Sequence, residues 1–452
     1  MNKCIKGIAL ACCCSFIFWA CNDFLDEKSD YLLSTPQTLE DLDALLSNSN
    51  IIGLEPMLAE ISATEYYLEE DVWSALLDEG HKRSYYWAEE GLFQEDIRND
   101  WRAVYDIVYY CNVVLEELEK IERNAKNALD YDRIQGEALF FRGKSMLQAA
   151  FIWVEAYDED LKERKMGLPL RMDSDFNKES KRSTMGETYR TILQDLQNAT
   201  DLLPEKNYHP TRPNKAAALG TISRAYMSMR KYEEALIYAD KALAYQDELL
   251  DFNQLDEEAD FPIPEYNEEV IFSSFFAIDE ILDHTKMLVS PSLYDLYEEN
   301  DKRKSVFFST DSDGKVFFKG RFAVGGYGLF SGISTNELIL NKAECYVREQ
   351  NYNQGRTEVL RLLKTRYDSH FELESDDEEL LDIILKERRK ELLFRGMRWV
   401  DIKRLNKEGY NIVQEREVMG KTFTLSPNDP KYARPFPDFV IAMTGMEQNP
   451  QH

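Results

Sequence analysis

A mainly α-helical fold is predicted for this 452-residue chain, with paired helical repeats packed against an irregular, loop-rich part that carries a few short β-hairpins. Three observations predict it. Apolar residues recur at helical spacing over long stretches, above all from Trp101 onward. Two such stretches repeat one another at an offset of 120 residues, Leu219 matching Ile339 and Tyr232 matching Tyr352. The stretch between them loses the helical period and mixes acids and prolines with short β-rich runs.

The chain opens with Lys3 and Lys6, an almost wholly apolar run over 7–19, and Ala20 before Cys21. That pattern reads as a secretory signal over residues 1–20 with a lipoprotein-type processing site, which makes Cys21 the acylated first residue of the mature chain. The run of about thirteen apolar residues is too short for a bilayer, which needs about twenty in a helix. An ordinary cleaved signal or a short anchor helix is the alternative, since Phe18 and Trp19 are bulky for this position. Residues 21–36 read as a polar tether. Thr35 is expected to cap the next helix, with Pro36 in its first turn and Leu39, Leu42, Leu45 and Leu46 on one face.

Residues 51–95 are rich in Tyr and Trp and less periodic, as loops and short helices are. Val104, Ile107, Val108, Cys111, Val114, Leu115 and Leu118 then form one apolar stripe, and a second long helix is predicted over 133–157. After a charged excursion over 158–182, Thr184 and Glu187 are spaced as a capping box for a helix reaching Leu203. Leu219, Ile222, Ser223, Tyr226, Tyr232, Ala235, Ala239 and Ala242 follow tetratricopeptide spacing. Ile339, Lys342, Ala343, Tyr346, Tyr352, Gly355, Val359 and Leu362 repeat it. Two units do not make a solenoid, so the helices over 101–157 are expected to be further, degenerate units; two unrelated hairpins is the alternative. The helical blocks are thus about 101–250 and 335–405, and the irregular segments about 51–95 and 251–334, within one domain over 37–452. Between the repeats, Val306-Phe-Phe308 and Val316-Phe-Phe318 flank Asp313-Gly314, a hairpin signal. Asp311-x-Asp313-Gly314 resembles a calcium loop only in part, because Gly320 stands where the closing Glu is needed.

Acids outnumber bases 83 to 54, and the net charge of −29 becomes −31 once residues 1–20 are removed. Such a chain repels nucleic acid and anionic lipid surfaces. Five of the seven cysteines fall at or before Cys21; Cys111 and Cys345 sit in apolar helical patterns and read as small buried hydrophobes. No metal site, cofactor motif or nucleophile is encoded by the five scattered histidines or by Gly325-Gly326-Tyr-Gly328. Acidic pairs such as Glu69-Glu70 and Glu89-Glu90 would suit a glycosidase, yet 83 acids produce such pairs by chance, so no enzyme is expected.

The most specific stretch is Glu387-Arg-Arg-Lys-Glu-Leu-Leu-Phe-Arg-Gly-Met-Arg-Trp-Val-Asp-Ile-Lys-Arg404. Helical spacing lets Glu391 reach Arg395 and Arg398 reach Asp401, with Gly396 relieving a bend that turns Trp399 inward: a structural clasp. This stretch resembles the C-terminal signature of the SusD/RagB family of outer-membrane nutrient-binding lipoproteins, through Glu387, Arg388, Glu391, Gly396, Arg398, Trp399 and Asp401. It departs at Arg395, where the family has Glu, and at Ile402, where it has Leu. Cys21-Asn-Asp-Phe-Leu-Asp26, Gly136-Glu-Ala-Leu-Phe-Phe-Arg142, Asn341-Lys-Ala-Glu344, Pro435-Phe-Pro437 and Gln448-Asn-Pro450 agree in order. Ser334-Thr-Asn-Glu-Leu338 replaces the commoner Arg-containing start of the second repeat.

The resemblance implies a SusD-like fold and a lipid-anchored, cell-surface outer-membrane protein without cofactor. It implies a lid on a SusC-like TonB-dependent transporter that captures oligosaccharides, or peptides in the RagB branch. Flat aromatic rings suit the C–H faces of sugars. The expected ligand residues are therefore Tyr66, Tyr67, Trp73, Tyr85, Tyr86 and Trp87 in the irregular N-terminal stretch, with Tyr327 in the Gly-rich segment. A surface glycoside hydrolase and a protein-binding tetratricopeptide adaptor are the competing readings.

Overall fold

The computed structural model describes residues 36–48, 52–94, 99–276, 279–322, 328–368 and 371–450. The expected signal, the expected acylation site Cys21, nearly all of the expected tether and Tyr327 lie outside the described residues. The first helix, α1 (Leu39–Leu46), is capped by Thr38, not by Thr35. Thr38 Oγ1 accepts from Asp41 N at 3.2 Å, and Asp41 Oδ2 accepts from Thr38 N at 3.0 Å. Thr38 has an acid three residues on to complete the box, and Thr35 has none.

The helical block is built from α2 (Asp100–Leu118), α3 (Ala128–Trp153), α4 (Met185–Leu202), α5 (Lys215–Ser228) and α6 (Tyr232–Leu243). It continues in α7 (Thr335–Arg348), α8 (Tyr352–Leu363), α9 (Leu380–Glu391) and α10 (Met397–Asn406). From α2 to α8 each helix packs on the next, α6 against α7 across the insertion, so the pairs form one continuous stack. The 101–157 helices are thus the first members of that stack. The second of them runs four to five residues earlier than the spacing predicts, because the backbone turns extended at Val154. There Lys403 Nζ takes the Phe151 and Val154 carbonyls at 2.7 and 2.6 Å. The Thr184–Glu187 capping box forms as expected.

Small residues set the spacing of the repeats. A Cβ on Gly355 would meet Val347 Cγ2 at 2.4 Å, and Ala235, Ala239 and Ala242 are wholly buried on α6. Cys345 packs on Met227 and Ala235, and Cys111 is buried in the main core, both as free thiols.

The irregular part has its own aromatic core, with Tyr66, Phe276, Phe307, Phe308, Phe318, Phe330 and Phe394 among its members. Its sheets are short. Leu54–Glu55 runs parallel to Phe275–Phe276, and Tyr66–Tyr67, Leu288–Val289, Val316–Phe318 and Phe308–Thr310 form a four-stranded sheet in that order. The hairpin at Gly314 (φ +82°) forms, but its first strand starts at Phe308, since Val306 and Phe307 close a short helix, Arg303–Phe307. Asp311 Oδ1 accepts from Asp313 N and Lys315 N, so its carboxylate shapes the turn.

The signature segment clasps these two parts, with pairs other than those its spacing predicts. α9 ends at Glu391, and Phe394 (φ +56°) and Gly396 (φ +73°) carry a non-helical connection, so Glu391 and Arg395 share no helix face. Glu391 instead pairs with Arg366 at 2.7 Å and Arg303 at 3.1 Å, and Arg366 also holds Glu269 at 2.6 Å. Arg395 lies over the Phe322 ring at 4.3 Å and donates to Ser334 Oγ at 2.8 Å. Arg398 pairs with Glu65 at 2.7 Å, leaving Asp401 to Arg388 (2.9 Å) and Arg404 (2.7 Å). Glu387 takes Lys390 at 3.1 Å and Arg303, and Gly396 N donates to Glu60 Oε2 at 2.7 Å. Trp399 is fully buried against Tyr432, with ring centroids 4.7 Å apart, as the inward turn requires.

Candidate functional site

Two short helices of the 51–95 stretch carry the candidate surface. Glu70–Ala75 presents Trp73, and Glu79–Tyr85 leads into Tyr86 and Trp87. The second helix is fixed twice in its first turn. Asp78 Oδ1 caps it through His81 N at 3.0 Å, and His81 Nδ1 meets Asp279 Oδ1 at 3.0 Å, tying it to the insertion. Gly80 is required there, since a Cβ would lie 2.3 Å from the Leu92 carbonyl oxygen. At its end Trp87 adopts φ +60°, a strained value for a bulky residue.

That turn leaves Tyr86 half-buried in a row of rings. Tyr86 lies 6.3 Å from Trp73 and 4.7 Å from Phe423, centroid to centroid, and Lys82 Nζ is 5.8 Å from the Trp73 ring. Phe423 comes from a late hairpin, Gln414–Val418 with Lys421–Leu425. Tyr86 and Phe423 of this row line a groove of about 590 Å³, which Trp73 does not reach, and its polar lining includes Arg83, Glu90 and a Glu89–Lys431 ion pair at 3.0 Å. Among the described residues, the Trp73 Nε1–H is buried without an acceptor. Half-buried rings beside charged groups and the Thr424 side chain offer stacking faces with hydrogen-bonding edges, the chemistry a pyranose chain needs.

Of the seven aromatics named from the sequence, Tyr86 and Trp87 line this groove, and Trp73 packs on Tyr86 without lining it. Tyr67 is exposed, at 40%, on the neighbouring sheet edge and does not line it. Tyr66, Tyr85 and Trp87 are buried, because they cage the buried guanidinium of Arg416, whose Cζ lies 4.8, 3.6 and 5.9 Å from their rings. Their polar atoms are also spent: Trp87 Nε1 donates to the Ser62 carbonyl at 2.9 Å, and Tyr85 Oη accepts from Leu68 N at 2.9 Å. These three rings shape the site and expose no stacking face. Phe423 was missed, although the alternation Lys421-Thr-Phe-Thr-Leu425 after Met419-Gly420 carries a hairpin signal.

Among the described residues, no group of three or more His, Cys, Asp or Glu is placed to hold a metal ion, and no helix is long and apolar enough to cross a membrane. Glu69 of the first acidic pair is bound to Lys315 at 2.7 Å.

Residues 23–227 match a family model described as starch-binding and associating with the outer membrane, and residues 335–451 match the model of the SusD family. None of the curated proteins matches the chain. Among solved structures, a SusD superfamily protein from Bacteroides thetaiotaomicron VPI-5482 superposes with a TM-score of 0.75 at 19% identity, covering 91% of this chain and 100% of that one. A SusD-like carbohydrate binding protein from Bacteroides vulgatus ATCC 8482 gives 0.67 at 21% identity, covering 90% and 96%. A SusD superfamily protein from Bacteroides fragilis gives 0.72 at 19% identity, covering 91% and 99%. At these identities the superpositions speak for the fold alone. With both family models matching in their order along the chain and the signature clasp in place, the chain belongs to the SusD/RagB family.

Proposed function

We propose that this protein captures oligosaccharides at the cell surface, tethered to the outer membrane by an acylated Cys21, and delivers them to a SusC-like TonB-dependent transporter for which it acts as a lid. The row Trp73–Tyr86–Phe423 beside the 590 Å³ groove is the observation that carries this reading. The sugar's C–H faces stack on Tyr86 and Phe423, and Arg83 and Glu90 meet hydroxyls. The description of the matching N-terminal family model and the carbohydrate-binding relative point the same way. The acidic exterior and the lipoprotein-type start fit a surface protein that handles neither nucleic acid nor anionic lipid. Residues 37–452 act in this reading as one domain, and the role is binding without bond cleavage.

Calorimetric titration with a panel of neutral and acidic oligosaccharides and of peptides, followed by product analysis, tests it. Micromolar-to-millimolar glycan binding with the glycan recovered intact is the expected result. Peptide binding alone would move the protein to a RagB-like role, and cleaved glycan would make it a hydrolase.

A further inference from the structure

A second cavity, of about 640 Å³, lies away from the groove, between α1, α3, the loop before α5 and the strands Val270–Phe272 and Phe275–Phe276. Its volume falls within the range of small-molecule sites. Its walls are apolar: Leu46, Ile52 and Leu54 on one side, Tyr208, Tyr266 and Phe275 on the other. Two features make it more than a packing gap. Tyr208 stands 68% exposed at its edge, braced by Arg133 at 5.9 Å from the ring, and Tyr266 is held edge-on to His209 at 4.8 Å with φ +52°. The aromatic walls are thus held open by neighbours and have not collapsed on one another.

Its charged lining groups, Asp43 and Arg212, gather in one cluster, and His209 and Thr211 line it beside Tyr208. Arg212 is buried there and is bound to Asp43, Glu137 and Ser47 Oγ, while Arg133 holds Asp43 at 2.7 Å and Glu137 at 3.2 Å. Two guanidiniums meet two carboxylates, so the cluster is charge-balanced and offers nothing to a charged ligand. Among the described residues, Ser273 Oγ and Arg212 Nε, both on residues lining the cavity, are buried without partners. Buried donors without partners are costly, and a hydroxyl rotates freely enough to meet a ligand. A pyranose would carry hydroxyls around its whole rim against Leu46, Ile52 and Leu54. A ring with a single polar end would not.

We propose that this cavity binds a small, uncharged aromatic molecule with one polar end, of the phenol or indole class, its ring between Tyr208, Tyr266 and Phe275 and its polar atom toward Ser273 and Arg212. The site is separate from the glycan groove and stands or falls without it.

Saturation-transfer NMR and calorimetry on the wild-type protein with phenol, p-cresol and indole, and with the methyl glycosides of glucose, galactose and xylose, test the proposal. One or more of the aromatic probes binds, Ser273→Leu abolishes that binding by filling the space around Ser273, and Tyr208→Ala weakens it about five-fold through loss of one ring wall. Tyr208 is exposed enough for its variant to fold even where Ser273→Leu does not. The double variant Trp73→Ala/Phe423→Ala leaves aromatic binding in place while weakening glycan binding at the groove, which separates the two sites. Aromatic binding unaffected by Tyr208→Ala, binding of methyl glycosides in place of the aromatics, or no binding of any aromatic probe would overturn the assignment.

Discussion

The stack α2–α8 and the irregular part around residues 51–95 and 251–334 both bury large aromatic cores, but different forces hold them in register. In the stack, contact is largely local: each helix meets its chain neighbour, Ala235, Ala239, Ala242 and Gly355 let the backbones approach, and a buried pair, Arg142–Asp195 at 2.7 Å, joins α3 to α4. In the irregular part, no strand exceeds three residues from Leu54 to Phe318 outside the excursion at 166–184, and position is set by buried charges from distant segments. Glu65 meets Arg398, Glu60 meets Gly396, and Arg303 and Arg366 meet Glu391. Periodic sequence fixes the first part, and long-range ion pairs fix the second.

The largest expected effect breaks that second device. Arg366→Met leaves Glu269 and part of Glu391 buried without a cation, and about 3–5 kcal/mol of stability is lost in denaturant unfolding. A loss below about 1 kcal/mol would show that the web carries little of the docking. In the stack, Gly355→Val costs less, about 1–3 kcal/mol, because the new side chain starts 2.4 Å from Val347 Cγ2 and the helix pair must part. An unchanged melting temperature would mean that the repeats tolerate wider spacing than their small residues imply.

A third test is read by pH. Burial pushes the Glu60 carboxyl from its ordinary 4.5 up to about 7, against the Gly396 N–H that favours the ionised form. The folded state therefore binds this proton more tightly than the unfolded chain. Glu60's contribution is complete below pH 4.5 and is lost as the pH rises through 7. Glu60→Gln keeps an acceptor for Gly396 and avoids the buried charge, so it stabilises the protein by on the order of 2 kcal/mol above pH 7 and leaves it unchanged at pH 4. A difference that does not vary with pH would contradict the assignment. The smallest effect belongs to a cap: Thr184→Ala removes one half of the α4 box and lowers stability by about 1 kcal/mol, measurable as a small shift of the thermal midpoint.

The same division decides what could be read from the chain. Repeats, the α4 box, the Gly314 turn and the buried cysteines were legible because period, capping and turn chemistry act over a few residues. The first helix was placed on Thr35, three residues early, because a Thr-Pro pair is a louder signal than the Thr38–Asp41 box that forms. The clasp residues were legible as a motif but not as pairs: Glu391–Arg395 assumes one straight helix, which ends at Glu391, and Arg398, on α10 with Asp401, is taken by Glu65 from a distant segment. At the groove, aromatic density pointed to the right stretch. It could not separate the half-buried Tyr86 and Trp73 from the buried Tyr66, Tyr85 and Trp87. What separates them is Arg416, more than 300 residues away, and Phe423 arrives on the same distant hairpin.

The central claim is that the ring row captures glycan. Calorimetric titration of the wild-type protein and the Trp73→Ala/Phe423→Ala variant against the oligosaccharide that binds best tests it most directly. Loss of about 1–2 kcal/mol of binding free energy in the double variant, a roughly 5- to 30-fold weaker Kd with unchanged thermal stability, is the predicted result. Unaltered affinity in a folded double variant would place glycan capture elsewhere on the molecule and contradict the account.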